Sequence, residues 1–311
     1  MHSGSRNRRV SAGAVLGVVH MGVPQIRTVV MSLVLVSAGT LTAMVTAAPA
    51  ESAASAPPVA VSISNTRVVT MPTTIQPGVN TFKVTTANKR GSSFQVVQAA
   101  AGYTAADAAR DIEKGLDGGN VQAIKRFEAN VTLLGGMGVS KDKPNKLVVD
   151  LPAGDYWALD VNTNDPDKFF AFTATGADTG NVMPQADATL RAVQATTWAS
   201  NPASIPNKGM MAFKNTSSQN HFIVMVKLKK GMTYQDFKKW FAASMDGPPP
   251  GPSPVNFDVG MDSGVVSPGH SARFKYNLPK GDYVMLCFWP DASMGGMPHA
   301  YMGMHRGVTL K

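Results

Sequence analysis

A single cysteine, Cys287, in 311 residues excludes an internal disulfide framework. Charge is also scarce: Asp, Glu, Lys and Arg make up 16% of the chain, with no basic run and no aromatic interleaving of the kind a nucleic-acid surface needs. The formal charge of +9 belongs partly to the first 50 residues, which hold Arg6, Arg8, Arg9 and Arg27 and no acid. The remainder carries 25 Lys+Arg against 20 Asp+Glu, or +5, an ordinary solvated surface. Lys125-Arg126 and Lys229-Lys230 are short pairs and read as solvated faces. No Ser-His-Asp order, paired-carboxylate segment, HExxH or phosphate-cradling loop is present, so the reading is of a protein that is not an enzyme.

A hydrophobic content of 44% supplies a core, and 29 Gly and 21 Pro spread between short apolar runs favour an all-β architecture. Arg27 precedes an apolar stretch over 28–48 that ends in Ala48-Pro49-Ala50, a small-x-small cleavage pattern. Residues 1–50 are therefore expected to be a signal peptide and 51–57 a flexible linker, giving a secreted or extracytoplasmic protein. The alternative is an uncleaved N-terminal anchor facing outside, the only membrane contact expected. Met21 is an alternative start, and Arg8-Arg9 a weak twin-arginine hint. No cysteine follows the apolar run at its end, which excludes a lipoprotein anchor. In an oxidising compartment the lone thiol must be buried, ligated or exposed to oxidation.

The chain repeats itself. LPAGDYWALD (151–160) aligns without a gap on LPKGDYVMLC (278–287), and GYTAADAARDI (102–112) on GMTYQDFKKWF (231–241). In the second pair Thr104 and Thr233 each stand three residues before an Asp, Asp107 and Asp236, a capping-box variant that opens a short helix. Two matches in the same order at nearly constant offset indicate duplication. The copies are placed at 58–176 and 187–311, with a linker at 177–186. The expected fold is two tandem Greek-key β-sandwiches, each with one short inserted helix.

Strands are expected near 60–70, 78–86, 94–98, 146–151 and 156–161 in the first copy. Those of the second are expected near 188–197, 209–215, 222–228, 271–278, 283–288 and 307–311. The proline-rich segment 246–254 cannot donate to a ladder and reads as an extended loop inside the second copy. Tyr156 and Tyr283 read as tyrosine corners, Met225 and Met285 as core fillers, Phe288 and Trp289 as caps on the sandwich end, and His270 as a solvated turn residue.

The chemistry concentrates at the C-terminus. Period-two alternation puts Tyr283, Met285 and Cys287 on one strand face and Val284, Leu286 and Phe288 on the other, so the thiol points inward. Twelve residues later comes His299, and five after that Met304. A thiolate, an imidazole and a thioether are a soft-metal donor set that favours copper. Met294, Met297, Met302 and His305 crowd the same stretch, and several thioethers favour Cu(I).

GDYVMLC (281–287) resembles the Gly-x-Tyr-x-x-x-Cys strand of the cupredoxins, the small blue-copper β-sandwich family. His299-AYMG-Met304 is similar to that family's His-x4-Met loop, most like the form in copper nitrite reductases. The resemblance is good over the second copy and weaker over the first. It implies an upstream histidine at the start of a strand, a place His221 fits. The implied site is one copper ion held by His221, Cys287, His299 and Met304, with Met294, Met297, Met302 and His305 as a second tier. The loop from Cys287 to His299 is longer than the family usually has.

The first copy has Ser92 opposite His221 and Asp160 opposite Cys287, and is expected to bind no soft metal. The functional expectation is a one-electron carrier, partnered by a redox or copper-donating protein and by no nucleic acid. The alternatives are a Cu(I)-handling protein using the loop over 294–305, and a metal-free extracellular binding module.

Overall fold

The computed structural model describes residues 56–199, 203–245 and 247–311; the expectations for the leader lie outside them. Among the described residues no helix is long and apolar enough to cross a membrane.

The first half runs β1 (Val59–Ile63), β2 (Val69–Thr70), β3 (Thr74–Ile75), β4 (Gly78–Thr86), β5 (Ser92–Ala99), α1 (Ala105–Asp111), α2 (Val121–Asn130), β6 (Val131–Val139), β7 (Asn145–Leu151), β8 (Gly154–Asp160) and β9 (Phe170–Ala174). The second half follows with β10 (Ala188–Gln194), β11 (Thr197–Trp198), β12 (Ser204–Ile205), β13 (Lys208–Asn215), β14 (Val224–Leu228), α3 (Tyr234–Ala243), β15 (Val255–Asp262), β16 (Ser271–Asn277), β17 (Gly281–Leu286), β18 (Pro290–Asp291), β19 (Met297–Pro298) and β20 (His305–Leu310).

The duplication is visible in the sheets. One five-stranded sheet has the order β3-β9-β8-β5-β6, and the other repeats it as β12-β20-β17-β14-β15. The remaining strands form one eight-stranded sheet, β11-β10-β13-β16-β7-β4-β1-β2. It consists of two equivalent four-stranded sheets joined where β16 pairs antiparallel with β7, Arg273 opposite Val148 and Phe274 opposite Leu147. β7 and β16 are equivalent strands, each leading into its Leu-Pro-x-Gly-Asp-Tyr repeat, so the seam has the local two-fold character of like edges meeting. The chain is all-β with a sandwich in each half, as the composition predicts.

Local chemistry explains the repeats. Thr104 and Thr233 each accept from the backbone N–H of the Asp three residues on, and that Asp accepts in return, closing both capping boxes. The tyrosine corners also form: Tyr156 Oη donates to the Pro152 carbonyl and Tyr283 Oη to the Pro279 carbonyl, each at 2.6 Å. Tyr283, Met285 and Cys287 join the main core, while Val284 and Leu286 pack on the opposite face under α3. There Phe237 and Phe241 of α3 are buried, each worth about 1.5–3 kcal/mol of transfer free energy.

Several elements differ from the sequence reading. The first copy has two helices instead of one, with a π-helical turn over Ile112–Asp117 between them. The strand expected near 60–70 breaks at Ser64, whose hydroxyl accepts from the N–H groups of Thr66 and Val68, and Arg67 adopts a left-handed φ of 67°. The strand expected near 188–197 likewise turns after Gln194. Strands β6, β9 and β15 were not anticipated. β6 reads VTLLGGMGV, and its glycines hide the apolar run although close approach requires them: a Cβ on Gly136 would stand 1.9 Å from the Phe94 carbonyl oxygen.

Candidate metal centre

His221 sits in the turn that leads into β14, bridged to Val266: its N–H donates at 3.2 Å and its carbonyl accepts at 2.8 Å. That turn is tied down by Asn215, whose amide donates to the carbonyls of Gln219 and Val266, each at 2.7 Å. Cys287 directly follows β17, and its N–H donates to the Met304 carbonyl at 3.2 Å. His299 opens a short 3₁₀ turn over His299–Met302 after Pro298, with its N–H on the Trp289 carbonyl at 2.9 Å. Three separate chain segments thus converge on one end of the second sandwich.

The side chains meet there. Cys287 Sγ lies 3.5 Å from His221 Nδ1 and 3.7 Å from His299 Nδ1, and the two Nδ1 atoms are 3.2 Å apart. All three residues are fully buried. A triangle with these edges has its centre about 2.0 Å from each corner, close to the roughly 2.0–2.1 Å and 2.3 Å of zinc–imidazole and zinc–thiolate bonds. The donor atoms are therefore already spaced as a metal ion would space them. The donor chemistry, two imidazoles and one thiolate around an open centre, is that of a copper site. The cluster is consistent with one copper ion.

Protonation fits the same picture. Burial lowers His221 to about 3, assisted by the neighbouring His299, and lowers His299 to about 4 against the pull of Asp291. Both rings are neutral at physiological pH and can donate lone pairs. Burial pushes the Cys287 thiol up to about 12, while backbone N–H groups of Phe222 and Trp289 favour the thiolate. A buried thiol with two aimed donors and no cation is poised to lose its proton when a metal arrives.

Gln219 and Asp291 extend the cluster, and the sequence reading had neither. Gln219 donates its amide to Asp291 at 3.0 Å, which turns its carbonyl oxygen toward His299 Nε2 at 2.5 Å. That oxygen can only accept, so the proton sits on Nε2 and Nδ1 presents its lone pair to the cluster. Asp291 is desolvated, but hydrogen bonds from Ser293 and Gln219 hold its carboxyl below the usual range. No single-sequence signal marks Gln219 beyond its position two residues before His221. His221 Nε2 faces the backbone of Gln194 without meeting hydrogen-bond geometry and is left unpaired.

Met304 is fully buried in the same core as Cys287, its carbonyl accepting from Cys287 N–H and, at 3.3 Å, from the Trp198 indole. Of the second tier, Met294, Met297 and His305 lie elsewhere. Met294 and Met297 are exposed, at 53% and 41%, on the tip of the loop, and Met302 is half-buried in the 3₁₀ turn. His305 pairs with Leu286 across the β17–β20 ladder and turns to the outer face, where Nδ1 meets the Tyr234 hydroxyl at 2.9 Å and the ring packs on Phe237 and Phe241. Strand alternation thus removes His305 from the cluster. Phe288 packs on Phe241 and Tyr301, and Trp289 is buried against α2 of the other half instead of capping a free end.

Two sheets per half, with a buried His-Cys-His cluster at one end of the second, match the architecture the sequence predicts. The fold is cupredoxin-like. No protein-family model and no curated protein matches the chain. Among solved structures it is similar to a dithionite-reduced auracyanin from Roseiflexus castenholzii, at 23% identity over 40% of this chain and 94% of that one, with a TM-score of 0.25. Auracyanin A of Chloroflexus aurantiacus, titled a "blue" copper protein, matches at 14% identity over 40% and 96%, with a TM-score of 0.23. Copper nitrite reductase from Nitrosomonas europaea matches at 11% identity over 81% and 93%, with a TM-score of 0.21. The metal chemistry of this chain rests on its own donor geometry and not on these likenesses.

Proposed function

We propose that this chain is an exported copper protein that carries one electron at a time through a site formed by His221, Cys287, His299 and, as a weak axial donor, Met304. The observation that carries the reading is the triangle of Cys287 Sγ and two imidazole Nδ1 atoms, with edges of 3.2, 3.5 and 3.7 Å. Bound copper supplies Cu(I)/Cu(II) redox chemistry, and a trigonal donor set suits both states. The chain's own residues hold the donors in place: Gln219 fixes the His299 tautomer, the β14 and β17 ends fix His221 and Cys287, and full burial excludes water. Such a closed centre suits electron transfer to a redox protein better than catalysis on a substrate. In this reading the units are 58–176 and 187–311, residues 1–50 direct export, and the first unit carries no metal.

The test is titration of the metal-free chain with Cu(II). One equivalent should give intense visible thiolate-to-copper absorption, lost in Cys287→Ser, bleached by a reductant and restored by oxidation. Roughly one proton should be released per copper, because Cys287 enters as a thiol and both imidazoles enter neutral. No visible band and no proton release would overturn the reading. A second reading, Cu(I) handling, draws on the exposure of Met294 and Met297. It requires Cu(I) transfer to a chelator to slow markedly in Met294→Leu/Met297→Leu; an unchanged rate removes it.

A further inference from the structure

The eleven residues between Cys287 and His299 are too many for the shortest link between two donors, and they include the positive-φ glycines Gly295 and Gly296. They fold into a small hairpin in which β18 pairs with β19, Pro290 opposite Pro298 and Asp291 opposite Met297. One flank is held within the second half, where Asp291 accepts from Gln219. The other flank meets the first half. Trp289, 3% exposed, donates its indole N–H to Glu128 Oε1 at 2.7 Å, and its ring lies 6.4 Å from that of Phe127. A Cβ added to Gly296 would stand 3.6 Å from Ile124 Cδ1 and 3.8 Å from the Gly119 carbonyl oxygen.

Ile124, Phe127 and Glu128 lie at i, i+3 and i+4, so a single face of α2 receives the hairpin. That helix has its own anchor, since the Asn120 side chain accepts from Ala123 N–H at 3.1 Å. Trp289 in turn presents its carbonyl to His299 N–H at 2.9 Å. A continuous path therefore runs from α2 through Trp289 to the backbone of a cluster histidine. The indole is buried and the carboxylate half-buried, and an indole on a carboxylate is a charge-assisted hydrogen bond.

We propose that α2 of the N-terminal half clamps the metal loop of the C-terminal half, with Glu128 as the positioning residue acting through Trp289 on His299. This rests on the reading of His299 as a copper ligand. It gives the first half a task in the site, and it gives the long loop a partner that replaces shortness as the source of rigidity. Glu128 accepts the bond through an oxygen that glutamine also offers, so the carboxylate's charge is secondary to its position.

The test uses the full chain with Glu128→Ala, Glu128→Gln and Trp289→Phe, and two readouts. In the metal-free chain, amide hydrogen exchange over 289–299 should accelerate about tenfold in Glu128→Ala and in Trp289→Phe, the loss of one part-buried hydrogen bond, and stay near wild type in Glu128→Gln. In the copper-loaded chain, release to a chelator should quicken by a similar factor in the same two variants, with a displaced visible band. Acceleration spread evenly over both halves would make Glu128 merely structural and overturn the clamp. Exchange and release both unchanged in Glu128→Ala would also overturn it, while leaving copper binding intact. If wild type binds no copper, the function reading fails, and the exchange data alone decide whether α2 holds the loop.

Discussion

Acid should unfold the metal-free protein along a slope set by two buried imidazoles. Burial holds His221 at about 3 and His299 at about 4, whereas both titrate near 6.5 in the unfolded chain. With the folded values depressed, the stabilisation from keeping these rings neutral is complete above about pH 6.5. It is lost as pH falls toward the folded values, because the unfolded chain then binds protons that the folded chain refuses. Between about pH 6 and 5 the difference approaches two protons, or about 2.7 kcal/mol per pH unit at 1.36 kcal/mol per proton. Integrated from pH 7.5 to 5.0, each imidazole contributes about 2 kcal/mol and the pair about 4 kcal/mol, a large share of the roughly 5–15 kcal/mol that holds a typical domain folded. His270 and His305, also lowered by burial, act with the same sign. The assay is urea unfolding of the metal-stripped chain across this range, beside a His221→Gln variant whose loss should be smaller by about 2 kcal/mol. A wild-type loss below about 2 kcal/mol, or one unchanged by His221→Gln, would refute the claim that the cluster excludes water and protons.

Two further outcomes are expected. Gln219→Ala frees the His299 tautomer and should weaken copper affinity by about 10- to 100-fold, measured by competition with a chelator. Arg67→Ala removes the partner 2.7 Å from the fully buried Asp160 and should cost about 3 kcal/mol in urea unfolding, with copper uptake unchanged. A cost below about 1 kcal/mol would mean that the Ser93 and Asn162 donors alone satisfy the carboxylate.

Much of this was legible because strong local rules coincide with the fold. The Thr-x-x-Asp boxes, the Leu-Pro-x-Gly-Asp-Tyr corners and the period-two run ending in Cys287 are short-range patterns, and all three form. His221, Cys287 and His299 were nameable, and the structure brings their donor atoms within 4.8 Å of one another. Long-range effects were not legible. The glycine-rich β6 is a strand because Phe94 and Ala272 press on it from other segments, which its own composition does not announce. Likewise Gln219, Asp291 and Glu128 gain meaning only through partners 80, 72 and 161 residues away.

The two halves solve the same problem at equivalent backbone positions in different ways. Each places a polar or reactive side chain at the buried end of the strand that follows its tyrosine corner, and a buried polar group is costly unless it is satisfied. In the first half the chain satisfies it internally: Asp160 pairs with Arg67 at 2.7 Å and accepts from Ser93 N–H at 3.0 Å and Asn162 at 2.7 Å. In the second half the balance does not close without an outside group. Cys287 is a thiol with backbone donors aimed at it and no cation, and two imidazole Nδ1 atoms face each other at 3.2 Å. A cation at the centre of the triangle turns all three donors into satisfied ones, so the half that lacks an internal counterion is the half built to take a metal.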